Sequence, residues 1–182
     1  MSHRLLTLAL IGQLGLLGLG CSAPGAPPPD PIDLGDPDCD PILPFECALP
    51  WPSSLYLKED PSTKTGFALR FGKASLPATK QANTPVAPEG YQHLDGYSVG
   101  TPLIVAFPGL DASALPGENS IERSLDKDAQ VLWFEVQGDA AARVPYFAEL
   151  DGNEGDPERQ VLYVRPAVIL KEATRYVVAF RG

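Results

Sequence analysis

The chain has 182 residues and a formal net charge of −9. Its 14 lysines and arginines form no cluster, which argues against binding to nucleic acid or to anionic lipid headgroups. The length suits one domain with a proper hydrophobic core and is short for two. No cofactor motif stands out, and we expect no cofactor.

The first 20 residues have the layout of a secretory signal peptide. A basic start with Arg4 precedes an apolar run from Leu5 to Leu19, broken only by Thr7, Gln13 and glycines. A helix that spans a membrane needs about 20 apolar residues, so this run is short for a permanent anchor. We therefore expect the protein to be exported.

The apolar run ends in Leu17-Gly18-Leu19-Gly20-Cys21, which resembles the lipobox of bacterial lipoproteins. That resemblance implies that Cys21 is diacylated and becomes the new N-terminus. Gly18 occupies a position where the lipobox usually has a branched aliphatic residue. Ser22 after the cysteine implies sorting to the outer membrane. The alternative is ordinary cleavage at a small-x-small site, next to Pro24, with release of a soluble protein.

With Cys21 assigned to the lipid, Cys39 and Cys47 remain as a pair. An exported protein meets an oxidising compartment, so we expect these two residues to form a disulfide. On the chain-entropy model, closing so short a loop stabilises the fold by roughly 2–3 kcal/mol. No third thiol or nearby histidine completes a metal site, so we expect no zinc.

The domain layout follows from where the prolines lie. Half of the 20 prolines fall between Pro24 and Pro52. Residues 21–37, rich in alanine, glycine, proline and aspartate, cannot bury enough apolar surface to fold, and we interpret them as a stiff, extended tether. Residues 38–182 are then the β-rich domain, with an Ig-like part from about residue 100 to 182.

Short segments with strand-like patterns follow one another along this domain. They are residues 55–57, 67–71, 102–108, 130–136, 143–150, 160–165 and 175–181. Residues 77–93 are polar and irregular, and the one helical piece, one or two turns within 118–128, has Asn119 or Ser120 as its cap. We predict an all-β fold: an incomplete Ig-like β-sandwich with an irregular N-terminal extension and little helix.

Three segments carry a family resemblance: residues 47–54 (Cys-Ala-Leu-Pro-Trp-Pro-Ser-Ser), 65–69 (Thr-Gly-Phe-Ala-Leu) and 94–98 (Leu-Asp-Gly-Tyr-Ser). They resemble the N-terminal domain of bacterial virulence-factor lipases. They are still more similar to the same region of large secreted proteins of myxobacteria and actinobacteria, which residues 143–151 and 165–181 also resemble. The resemblance spans residues 38–182, and its motifs are structural rather than catalytic.

The last segment also resembles the end of a bacterial Ig-like domain, in which Leu170 and Tyr176 bracket the turn into a strand. The resemblance implies a tyrosine corner, with the Tyr176 hydroxyl bonded back to that turn. In the resembled proteins the chain continues, often into an α/β-hydrolase-like portion. This chain stops at Gly182, so we expect one Ig-like strand to be missing and a strand edge to be open to a protein partner.

Gly96-Tyr97-Ser98-Val99-Gly100 fits the G-x-S-x-G pattern of the α/β-hydrolase nucleophile elbow. The elbow requires a strand before the serine, a helix after it and a histidine late in the chain. The residues before Ser98 are not strand-like, a strand-like run follows, and the one histidine after the signal, His93, precedes the serine. We predict a turn here, with Ser98 as an outside candidate for a nucleophile.

The remaining candidates have ordinary structural explanations. Asp36, Asp38 and Asp40 have a calcium-loop rhythm without the glycine or the final acid that an EF-hand requires, and residues 151–156 lack any matching spacing. We therefore expect solvated loops and no metal. Trp133 lies mid-strand and is predicted to be in the core, whereas Trp51, between two prolines, is predicted at the sandwich edge.

Two functions remain open. The first is a lipid-anchored, non-catalytic interaction or support module at the cell envelope. The second is the accessory N-terminal domain of a secreted lipase-like hydrolase whose catalytic part lies outside this chain.

Overall fold

The computed structural model describes residues 38–40, 42, 47–79, 81 and 83–181. All of them lie within the unit Leu34–Gly182. The signal peptide, Cys21 and the tether predicted over 21–37 fall outside the described residues.

In the described part of the chain, eight strands form three antiparallel sheets. They are β1 Leu57–Glu59, β2 Phe67–Leu69, β3 Leu103–Ala106, β4 Val131–Gln137, β5 Ala140–Arg143, β6 Tyr146–Leu150, β7 Val161–Pro166 and β8 Arg175–Phe180. The sheet orders are β1-β2, β3-β7-β6 and β5-β4-β8. Every helical segment in the described part of the chain is a short 3-10 turn, the longest being Ile121–Leu125. The all-β prediction is confirmed.

The two three-stranded sheets have the strand order of an immunoglobulin-type sandwich. The order β3-β7-β6 corresponds to strands B, E and D, and β5-β4-β8 corresponds to C′, C and F. Trp51 forms an isolated antiparallel bridge with Ile104 of β3, which is the place of strand A. The prediction that Trp51 lies at the sandwich edge is therefore confirmed.

Alternating apolar residues fill the space between these two sheets. Val131 and Trp133 of β4 and Leu162 and Val164 of β7 are buried in one shared cluster, as the period-2 pattern of strands requires. Tyr146 of β6 is 0% exposed, and its hydroxyl donates a 2.9 Å hydrogen bond to the carbonyl of Val131 at the start of β4. This bond joins the two sheets through the middle of the core.

The single strand predicted over residues 143–150 is wrong. Arg143 ends β5 in one sheet, whereas β6 begins at Tyr146 in the other sheet. Pro145 lies between them and has no N–H to donate to a sheet ladder, so the chain leaves one sheet there and enters the other. A run of eight residues that alternates correctly is thus divided by one proline.

The predicted helical piece exists as a 3-10 turn, and the residue that it buries fully is Ser124. Ile121 and Leu125 lie four apart, yet Leu125 is exposed and Ser124 is fully buried. In a 3-10 turn side chains repeat every three residues rather than every 3.6, so the α-helical spacing does not apply. The Ser124 hydroxyl accepts a hydrogen bond from the backbone N–H of Tyr146 at 3.1 Å, which explains its burial.

The tyrosine corner is present at the turn between β7 and β8. The backbone N–H of Lys171 donates a 2.8 Å hydrogen bond to the hydroxyl oxygen of Tyr176, and Leu170 is buried in the main core. These two contacts fix the turn on both sides. The direction in which β8 leaves the turn is therefore determined locally.

We expect the substitution Tyr146→Phe to lower the free energy of unfolding by about 1–2 kcal/mol, because the Val131 carbonyl would lose its donor inside the core. Urea denaturation followed by tryptophan fluorescence measures this change. Tyr163→Phe is the control, since the Tyr163 hydroxyl forms no hydrogen bond with a described residue. Equal stabilities of the wild type and Tyr146→Phe would contradict the assignment.

Candidate interaction surface

An aromatic cluster lies on the N-terminal side of the sandwich. The ring of Trp51 stacks on Phe71 with centroids 5.8 Å apart and meets Tyr97 edge-on at 4.9 Å. Phe71 also contacts Tyr56 at 5.0 Å and Tyr91 at 5.8 Å. These rings form the core of the extension that precedes β3, which is a second apolar cluster beside the main one.

A disulfide joins Cys39 and Cys47, as predicted, and Cys47 contacts this cluster through Tyr56. The Tyr56 hydroxyl donates a 2.6 Å hydrogen bond to the carbonyl of Cys47. Ser53 donates a buried 2.7 Å hydrogen bond to the carboxylate of Asp40. Desolvation raises the pKa of the Tyr56 hydroxyl. These residues are therefore held by a covalent bond and by hydrogen bonds whose groups are shielded from water.

Asp38 and Asp40, on either side of Cys39, accept hydrogen bonds from the backbone. The backbone N–H of Lys73 donates to Asp38 at 3.1 Å, and that of Ile42 donates to Asp40 at 3.1 Å. In the β6–β7 loop, Asp151 accepts from the backbone N–H of Asn153 at 2.9 Å. Among the described residues, no group of three potential metal ligands comes together. Asp36 lies outside the described residues.

Ser98 lies in a turn, as the sequence predicts. Its carbonyl accepts a hydrogen bond from the backbone N–H of Thr101 at 3.0 Å, and its hydroxyl accepts from Gly100 at 3.4 Å. An irregular segment precedes it and β3 follows at Leu103, so the strand–serine–helix geometry of a nucleophile elbow is not formed here. His93 and Ser98 are both exposed, and neither is placed in a buried catalytic setting.

An open apolar groove of about 420 Å³ lies beside the outer face of β6. It is lined by Gly100, Ile121, Phe147 and residues 166–169. Ile169 at its rim is 86% exposed and the adjacent Val168 is 47% exposed, so the rim carries two neighbouring exposed aliphatic side chains. The groove and its rim form one candidate contact surface.

A second apolar surface lies on the outer face of the β5-β4-β8 sheet. Phe134 of β4 is paired with Val177 of β8, and Leu132 with Ala179. Val177 is 41% exposed. On the inner face of the same sheet, Phe180 of β8 is 37% exposed and its ring contacts Phe107. β8 is thus apolar on both of its faces.

The sequence indicates an open strand edge but neither of these apolar surfaces. The signal for the second was visible in β4, where Leu132, Phe134 and Val136 alternate with the core residues. A half-buried strand normally carries polar residues at those positions. No family model, curated protein or solved structure matches this chain.

Burial also affects the pH response of the cluster. Desolvation raises the pKa of the Tyr97 hydroxyl, which donates a 2.6 Å hydrogen bond to the carbonyl of Ser53, above its ordinary value of 10.0. In the unfolded chain the tyrosine loses its proton near that value, whereas the folded chain retains it. Stability therefore falls as the pH rises above about 10.

We expect Tyr97→Phe to make this alkaline loss of stability less steep and to lower stability near neutral pH by about 1 kcal/mol through the lost hydrogen bond. Urea unfolding between about pH 7 and pH 11 measures both effects. If the variant loses stability with pH as steeply as the wild type, Tyr97 is not the group that retains the proton.

We expect the purified protein to hydrolyse p-nitrophenyl esters no faster than a matched protein-free blank, and Ser98→Ala to give the same rate. The physical reason is that, among the described residues, no side chain hydrogen-bonds to the Ser98 hydroxyl in this turn, so the serine has no activating base. Hydrolysis that is lost in Ser98→Ala and retained in Ser113→Ala, an exposed serine of another turn, would show instead that Ser98 is a nucleophile.

Proposed function

We propose that this chain is a lipid-anchored, extracytoplasmic β-sandwich protein that acts as a non-catalytic interaction or support module of the cell envelope, at the outer membrane. The observation that carries the proposal is the Cys39–Cys47 disulfide, which indicates an oxidising compartment. It lies 18 residues after Cys21 (39 − 21), at the start of the folded domain.

The N-terminal sequence supports the anchor. The signal-like run over residues 1–20 ends in a lipobox-like sequence, which predicts a lipid on Cys21. A proline-rich segment with the composition of a tether follows this residue. Several acyl chains on one residue would hold the protein firmly on the membrane, because each buried CH₂ adds roughly 0.8 kcal/mol to the free energy of membrane binding. None of the helices in the described part of the chain is long and apolar enough to cross a membrane.

The interaction role is supported by the distribution of apolar side chains. Ile169 at the groove and Val177 on the outer sheet face are large side chains exposed to water. Contiguous exposed apolar patches cost solubility, and they often mark contact surfaces. The net charge of −9 keeps such a protein soluble while these patches remain available.

The second candidate, an accessory domain of a secreted lipase-like hydrolase, is favoured by one specific observation. The three segments that resemble the lipase N-terminal domain meet around the aromatic cluster. Leu69 donates from its backbone N–H to the carbonyl of Leu94 at 2.9 Å, and Tyr97 donates to Ser53. The resembling residues thus form one folded unit rather than scattered matches.

We expect Cys21→Ala to abolish incorporation of radiolabelled palmitate and to shift the protein from the detergent phase to the aqueous phase in a cloud-point separation. The physical reason is the loss of the only acylated residue. The control is the double variant Cys39→Ala/Cys47→Ala, which still incorporates palmitate and still partitions into the detergent phase. Wild-type protein recovered without lipid from the culture medium would contradict the anchor.

A further inference from the structure

The hydrogen-bonding edges of the sandwich differ in how much the chain itself covers them. In an antiparallel sheet, alternate residues of an edge strand direct their N–H and C=O groups away from the neighbouring strand. On β6 those residues include Tyr146 and Ala148. The backbone N–H of Tyr146 donates to Ser124, and that of Ala148 donates to the carbonyl of Pro116 at 2.8 Å. The β6 edge is therefore closed at these two positions by the chain.

The β3 edge is also covered. Ile104 directs its backbone groups outward, and both of them pair with Trp51, one bond at 2.8 Å and the other at 2.6 Å. Strand β5 is only four residues long, which limits the number of hydrogen bonds that another strand can form with it. Short edge strands are a common protection against unwanted pairing.

Strand β8 has six residues and one paired neighbour, β4. The backbone N–H of Arg181 donates to Gln130 at 2.8 Å, and this bond sets the alternation along the strand. Val177 and Ala179 therefore direct their backbone groups toward β4. Tyr176, Val178 and Phe180 direct theirs to the other side, where no described residue pairs with them.

The chemistry along this edge selects the kind of strand that fits. Both faces beside β8 are apolar: Val177 and Ala179 lie on the outer face, and Val178 and Phe180 on the inner face. A strand beside them gains free energy by covering apolar surface on either side. The occupant is therefore an apolar run rather than an alternating polar one.

Charges at the two ends of β8 further restrict the occupant. Arg175 and Arg181 flank the apolar run, and neither forms an ion pair with a described residue. Antiparallel pairing of two copies about Val178 would place Arg175 of each opposite Arg181 of the other. Like charges opposite each other destabilise a sheet. A strand with a carboxylate near each end instead meets two cations.

We propose that the free edge of β8 binds an extended segment of a partner polypeptide, apolar on both faces and carrying a carboxylate near each end, as a fourth strand of the β5-β4-β8 sheet. This inference rests on the proposed role as an interaction module. Main-chain hydrogen bonds to Tyr176, Val178 and Phe180 supply the pairing, and the arginines select acidic ends.

The test uses the full mature chain in detergent micelles and a fluorescent synthetic peptide, a run of valine and isoleucine as long as β8 between two glutamates. The peptide binds to the wild type in fluorescence polarisation. We expect the double variant Arg175→Glu/Arg181→Glu to bind it about tenfold more weakly and to prefer a peptide with lysines at both ends. Unchanged affinity for both peptides would overturn the charge assignment.

Proline substitutions test the edge itself. Val178→Pro removes an N–H that points away from β4, so the fold is kept and peptide binding is lost. Ala141→Pro is the matched control, because the register of β5 with β4 gives Ala141 the same outward N–H at the opposite edge of the sheet. Binding that survives Val178→Pro in a folded protein would overturn the proposal.

Amide hydrogen exchange followed by NMR gives a second readout. Without peptide, Val177 and Ala179 exchange slowly, whereas Tyr176, Val178 and Phe180 exchange fast, and peptide slows these three. If the peptide instead protects the amides of residues 166–169, the proposed role as an interaction module is retained but the β8 site is overturned. If the protein self-associates in sedimentation and the same three amides are protected without peptide, the occupant of the β8 edge is a second copy of this chain rather than a partner polypeptide. No binding by any of these measures, with lipidation intact, would overturn the inference and leave the anchor standing.

Discussion

The reciprocal pair of backbone hydrogen bonds between Trp51 and Ile104 determines how the two apolar clusters are joined. The backbone of Trp51 extends the β3-β7-β6 sheet at the outer edge of β3, while its side chain enters the aromatic cluster beside Phe71 and Tyr97. One residue therefore belongs to both parts. The β1-β2 pair depends on this junction, because Leu57 and Leu69 pack in the aromatic cluster.

The same junction closes the β3 edge of the sandwich, and other segments close the β6 edge. Trp51 occupies the place of strand A, and Ser124 and Pro116 accept hydrogen bonds from the outward N–H groups of β6. Trp51 and Pro116 lie outside the regular strands and Ser124 lies in a 3-10 turn, so edge protection here is supplied by connecting segments rather than by additional strands. These segments do this through single backbone or hydroxyl contacts. The four-residue β5 is limited by its length, and β8 is the long edge without a described partner.

The sequence predicted the fold class because apolar alternation survives in β4, β6 and β7. It also predicted the disulfide and the tyrosine corner, which depend on few residues with distinctive chemistry. It did not predict the break at Pro145 or the burial of Ser124, because both depend on which sheet a neighbouring segment joins. The groove near Ile169 was missed for a related reason: exposure of an aliphatic residue is a property of packing. The lipid on Cys21 stays a prediction.

An apolar strand edge normally favours association of a protein with itself. Strand β8 has neither a proline nor an inward-facing charge, two of the usual protections. Its arginines at both ends oppose pairing with an identical strand in either direction, since parallel pairing in register also brings like charges together. Such an arrangement discriminates between partners by repulsion as well as by attraction. On this proposal, the two arginines leave the edge of β8 to a strand with acidic ends and disfavour pairing with a second copy.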